Sequence, residues 1–216
     1  GYTNANIDII DKNDNVTNIN DIKIKDILAD KHINDVYFID ELAYVCCGFG
    51  IVVVDLERME VKDTYIIGRD GSYLNVNDIT VYDGKFYAAT SSGVYYADCD
   101  NENLADYSQW RRDNTMIHVS INYSEIETFN DELLANYSEN KYGTDTLFVF
   151  NGENWDYFDK SSHAIKRDIK VQDNRLLLVE HYSVKVLNKN HSTILDAYTD
   201  LEPFAATYDK NENVYW

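Results

Sequence analysis

Short apolar runs, four to six residues long, recur along this chain between clusters of Asp, Asn and Gly. The clearest set lies at 33–55. Residues 36–39 are apolar and lead to the polar pair Asp40-Glu41; 42–46 form a second run, closed by Gly48 and Gly50; 51–54 form a third, stopped by Asp55. Runs of this length, rich in β-branched and aromatic residues and bounded by turn formers, predict β-strands rather than helices.

The pattern repeats. Adding 43 to each number gives six identities: Asn34/Asn77, Asp35/Asp78, Asp40/Asp83, Tyr44/Tyr87, Gly50/Gly93 and Asp55/Asp98. Adding 133 gives a third copy, through Asp168, Asp173, Leu177, Ser183 and Asn188. A fourth, offset by 96 and with a longer middle loop, places Leu147 on Ile51 and Asn151 on Asp55, and subtracting 44 places Asp11 on Asp55. The residue that ends the third strand is thus Asp11, Asp55, Asp98, Asn151 or Asn188; Asp and Asn start turns by bonding to backbone amides a few residues on.

A period of about 40–50 residues with four strands per unit predicts an all-β fold, the β-propeller. The repeats define blades at 33–68, 76–110, 118–159 and 165–200. The N-terminus supplies only the end of a unit and the C-terminus only the beginning of one. Aligned on the template, Tyr2 falls on Cys46 and Trp216 on Val45, which predicts a fifth, composite blade shared between the termini. Such sharing would leave no open sheet edge. The alternative is an open arc of a larger, seven-bladed propeller. Residues 1–216 read as one domain, and because Gly1-Tyr2 begins inside an expected strand, as a fragment of a longer protein.

Composition adjusts this picture. The net charge of -19 argues against nucleic acid and anionic membrane as partners and fits solubility, a basic partner or a cation. The 18 Tyr suit blade margins, where a ring is buried while its hydroxyl reaches water. Cys46, Cys47 and Cys99 make no disulfide framework; the first two are adjacent on a strand and point to opposite faces. No apolar run approaches 18 residues, so no membrane insertion is expected.

Candidate chemistry is sparse. Asp35, Asp78 and Asp168 share one repeat position just before the innermost strand and would ring one mouth of a propeller channel. They would bind a cation or sugar there, act as the paired carboxylates of a five-bladed glycosidase, or cap the turn entering each blade. The irregular third blade, with its loop at 139–145, offers Tyr142 and Trp155 as aromatic platforms for a glycan. The runs 11–15, 98–102 and 209–213 echo the start of a calcium loop but lack its later glycine and glutamate, and read as hairpin tips. His32, His118, His163, His181 and His191 have no metal spacing, and no cofactor motif stands out.

The segments Val76-Asn-Asp-Ile79, Gly48-Phe-Gly-Ile-Val-Val-Val-Asp-Leu56 and Tyr87-Ala-Ala-Thr-Ser-Ser-Gly-Val-Tyr-Tyr-Ala-Asp98 resemble the PorZ N-terminal propeller family of the type IX secretion system. They are also similar to the two-component regulator propellers of sensor ectodomains. The resemblance implies an exported, non-enzymatic scaffold at the periplasm or outer cell surface. Its partners would be other domains of the same protein, secretion or sensor components, and cell-surface glycan such as lipopolysaccharide. The family's propellers usually have seven blades and are followed by a further propeller and a C-terminal sandwich.

Overall fold

The computed structural model describes residues 5–139, 144–158, 165–209 and 213–216. The secondary structure is almost entirely antiparallel β. Strands β1 (Ile7–Ile10) and β2 (Val16–Ile19) form a hairpin, followed by a single turn of helix, α1 (Asp21–Ile24). Blade one is β3 (Ile33–Ile39), β4 (Leu42–Cys47), β5 (Gly50–Asp55) and β6 (Glu60–Tyr65), hydrogen bonded in that order. Blade two is β7 (Val76–Tyr82), β8 (Lys85–Thr90), β9 (Gly93–Asp98) and β10 (Arg111–Arg112). Blade three is β11 (Tyr123–Phe129), β12 (Glu132–Glu139), β13 (Thr144–Phe150) and β14 (Trp155–Tyr157). Blade four is β15 (Lys166–Gln172), β16 (Arg175–Glu180), β17 (Ser183–Leu187) and β18 (Thr193–Tyr198), and β19 (Thr207–Tyr208) with β20 (Val214–Tyr215) forms a closing hairpin. Four-stranded up-and-down sheets repeated in this way are the blades of a β-propeller.

The chain divides into two compact units, residues 1–113 and 114–216. The first holds the N-terminal hairpin and blades one and two; the second holds blades three and four and the C-terminal hairpin. The terminal hairpins are two separate two-stranded sheets. Tyr2, on which the repeat alignment places the seam of a shared blade, lies outside the described residues.

Alternation explains the packing. Successive side chains of a strand point to opposite faces, and the middle strands β4 and β5 are buried on both, so they read as unbroken apolar runs. Cys46 joins Tyr44, Ile51 and Val53 in the core shared with blade two, through Ile79, Phe86 and Ala88. Cys47 joins Ala43, Val45 and Val52 in the core that takes Ile19 and Ile22 from the N-terminal hairpin and α1. In the second unit, Leu134 and Leu147 meet Leu176 and Leu178 between blades three and four, while Leu177 and Val179 meet Ala206 and Tyr208 of the C-terminal hairpin. The outer strands β6 and β18 are mostly exposed.

The repeated Asp and Asn positions do what their chemistry suggests. Asp11 Oδ1 accepts the amides of Asn13 and Asn15. Asp55 does so for Glu57 and Arg58, Asn151 for Glu153 and Asn154, and Asn188 for Asn190 and Ser192. The turns after the first strands require left-handed backbone: φ is 51° at Asp40, 46° at Asp83 and 46° at Asp173. Asp and Asn tolerate that region better than most residues because their short side chains bond locally.

Candidate functional site at the bulged first strands

Each blade begins with the same irregularity. The register between first and second strand slips by one residue between Ile33 and Asp35, Val76 and Asp78, Tyr123 and Glu125, and Lys166 and Asp168. A bulge of this kind re-aims side chains and tightens the local twist. The extra residues are Asn34, Asn77, Ser124 and Arg167, and an acid follows in every case: Asp35, Asp78, Glu125 and Asp168. Glu125 is the member the repeat alignment did not find. It lies at an offset of 90 from Asp35, six short of the 96 that aligns the third strand because the longer loop comes after it, and it is Glu rather than Asp.

The acids share a position but not an environment. Asp35 is exposed, Glu125 and Asp168 are half-buried, and Asp78 is 6% exposed, with Oδ1 accepting the amide of Ile79 at 2.7 Å. Within the first unit the first strands of blades one and two are neighbours, and Asn34 ties them: its Nδ2 donates to Val76 O at 2.6 Å and to Asn75 Oδ1 at 3.0 Å. In the second unit the first strands of blades three and four are neighbours in the same way.

The aromatic platform expected on blade three divides. Tyr142 lies outside the described residues. Trp155 is 6% exposed and its ring packs 5.2 Å from that of Phe150, so it is a core residue whose face is covered. The exposed aromatics lie elsewhere, at Phe38, Tyr73, Tyr182, Tyr198, Phe204 and Trp216 among others. A cleft of about 470 Å³ opens between the outer strands of blade four and the C-terminal hairpin, lined by Arg175, Val186, Leu195, Tyr208, Val214 and Trp216.

Sequence reading also missed a buried polar seam between blades three and four. Lys166 Nζ lies 3.1 Å from Glu180 Oε1, and Glu180 Oε2 meets Lys185 Nζ at 2.9 Å and the Ser183 hydroxyl at 2.8 Å. Beside it, Asp145 Oδ2 accepts the Lys166 amide at 2.7 Å and Asn136 Nδ2 at 3.0 Å, and Asn136 also donates to Ser124 Oγ. The repeat could have exposed this seam. Lys166, Glu180 and Lys185 stand where blade one has Ile33, Cys47 and Val52, and blade two has Val76, Thr90 and Tyr95.

Among the described residues no three His, Cys, Asp or Glu side chains group as a metal site, and no helix is long and apolar enough to cross a membrane. The chain is similar to several known proteins. Its fold matches the PorZ structure from Porphyromonas gingivalis, described as an essential surface component of the type IX secretion system, at a TM-score of 0.73 and 18% identity over 95% of this chain and 26% of that one. It is also similar to a Bacteroides thetaiotaomicron protein described as the extracellular domain of a hybrid two-component system (TM-score 0.60, 14% identity, 87% of this chain and 26% of that one). A third likeness is to a gluconolactonase from Xanthomonas campestris (TM-score 0.62, 13% identity, 85% of this chain and 67% of that one). At such identities the likenesses establish the fold alone, and the chain spans about a quarter of the PorZ chain. Comparison with curated protein sequences gives no match. The family model for the PorZ N-terminal β-propeller domain of the type IX secretion system matches residues 1–111, just over half of the sequence, and the chain belongs to that family.

Proposed function

We propose that this propeller is a non-enzymatic binding scaffold of an exported protein, displayed at the cell surface as part of a type IX secretion apparatus and engaging cell-surface glycan. The match of residues 1–111 to the PorZ propeller family carries this reading. The site geometry supports it. A catalytic carboxylate pair needs two groups whose surroundings push their pKa values apart within one pocket. Asp35 is open to solvent, and Asp78 is engaged by backbone. Within each unit, two acids at the same bulge position on neighbouring blades fit a polar surface that contacts a ligand better than they fit an acid and a base.

In this reading each unit carries ligand contacts on its own bulges, Asp35 and Asp78 in the first and Glu125 and Asp168 in the second, with Tyr142 as a further candidate from the sequence. The test is binding of outer-membrane polysaccharide from the native host to the full chain by calorimetry. Binding that weakens at least tenfold in D35N, in D168N or in Y142A, with melting temperature unchanged, supports the reading. No binding, or binding indifferent to these changes, removes it.

A further inference from the structure

The bulge residue of blade four differs from its counterparts. Where the other blades have Asn34, Asn77 and Ser124, blade four has Arg167, a cation in a chain of net charge -19. Beside it is His181, in the turn between β16 and β17, whose amide donates to Ile165 O. Between them lies the carboxylate of Glu202, from the segment that leaves β18. Arg167 Nη2 is 2.7 Å from Oε2, and His181 Nε2 is 2.9 Å from Oε1. Two aromatic faces frame the group. Tyr182 stacks on His181 at 4.1 Å and 15°, and the Arg167 guanidinium sits 5.0 Å from the centre of the Phe204 ring. Both rings are more than half exposed.

Glu202 fits this clamp incompletely. A guanidinium offers donors in a rigid fork, and the strong pairing engages two of them at once. Here the carboxylate takes Nη2 alone. Arg167 Nε is buried without a hydrogen-bond partner among the described residues, while His181 Nε2 faces the other carboxylate oxygen at 2.9 Å. A buried donor left unused in a native structure calls for an explanation. A carboxylate has two oxygens in one plane. A tetrahedral oxyanion has oxygens in three directions, enough for Arg167 Nε, Arg167 Nη2 and His181 Nε2 together.

We infer that Arg167 and His181 form a binding site for a tetrahedral oxyanion, a phosphate or sulfate group, flanked by Tyr182 and Phe204 and occupied in the free protein by the chain's own Glu202. The segment carrying Glu202 is held at its start, where the Thr199 amide donates to Tyr182 O and the Leu201 amide to Thr199 Oγ1. Glu202 is therefore a tethered competitor, present at an effective concentration set by a short link. The acidic charge of the whole chain does not decide the matter, because at about 0.15 M salt its field is screened beyond about 8 Å. The site stands on its own geometry and does not depend on the glycan reading.

The experiment uses the full chain and inorganic phosphate, followed by the imidazole resonances of His181 in NMR. Removing the competitor in E202Q, which keeps the side-chain shape, is expected to tighten phosphate binding about tenfold or more over the parent. R167K in the E202Q background, which keeps charge but loses the fork, is expected to lose that gain. Acetate is expected to bind E202Q more weakly than phosphate. Equal phosphate binding by parent and E202Q, gain retained in R167K, or acetate matching phosphate would each overturn the assignment. A host polysaccharide that fails to bind while phosphate titrates His181 would sink the glycan reading and leave this one standing.

Discussion

Lys166 Nζ lies 3.1 Å from Glu180 Oε1, its cross-strand partner in blade four, where that blade meets blade three, and both side chains are at most 4% exposed. Removing one partner of a buried ion pair leaves the other charge without compensation and costs about 3–5 kcal/mol, while replacing both by apolar groups is often close to neutral. K166M alone is expected to destabilise by that amount. K166M/E180L is expected to recover part of the loss, short of all of it because Lys185 also meets Glu180. Denaturant unfolding of the two variants and E180L gives the coupling energy. A double variant equal to the sum of the singles would mean that the pair does not interact.

The thiols are expected to be inert in the folded protein. Burial pushes the Cys47 thiol up from its ordinary 9.0 to about 12, and burial, with Asp100 and Asp98 adding to it, pushes Cys99 up to about 11. The thiolate is the reactive form, so at pH 8 Cys99 reacts about 100-fold more slowly than a free thiol on its thiolate fraction alone. Cys46 and Cys47 are fully buried and are slower still. Titration with an aromatic disulfide should show no fast phase until denaturant is added, and Cys99 should react first.

Acid should loosen the hairpin turn at Asp11 and the short 3-10 turn capped by Asp106 before the cores. Asp11 is held below its ordinary 3.8 by the side chain and amide of Asn15 and the amide of Asn13, and Asp106 by the amide of Ser108. In each case the fold favours the anion. The stabilisation is complete above about 3.8, the unfolded value, and disappears as pH falls through the lower folded value. D11N and D106N should therefore lose less stability than the parent on going from pH 5 to pH 2, read from thermal melts across that range. An acid limb identical to the parent's would show that these bonds carry no weight.

Much of the fold was legible because the repeat forces one solution on several segments. The Asp or Asn closing each third strand marks a turn whose side chain binds amides. The Cys46-Cys47 pair reports a strand buried on two faces. The site was less legible, for physical reasons. Asp35, Asp78 and Asp168 were visible as a repeat, yet a bulge leaves no mark in a strand's apolar count, so nothing marked Asn34, Asn77, Ser124 and Arg167 as the residues it re-aims. Trp155 looks like a platform in the sequence because an aromatic beside an irregular loop reads the same whether its face is open or covered by Phe150. The Lys166–Glu180 seam was hidden because charged residues in a repeat read as solvated, and only the register brings them together inside.

The role proposed for this propeller is that of a scaffold at the cell surface, serving a type IX secretion apparatus. In-frame deletion of residues 1–216 from the native gene, followed by fractionation of the apparatus's cargo proteins, tests it most directly. The account predicts cargo held inside the outer membrane and lost from the cell surface, with restoration by the intact coding sequence. Cargo reaching the surface at parental levels in the deletion strain would contradict it.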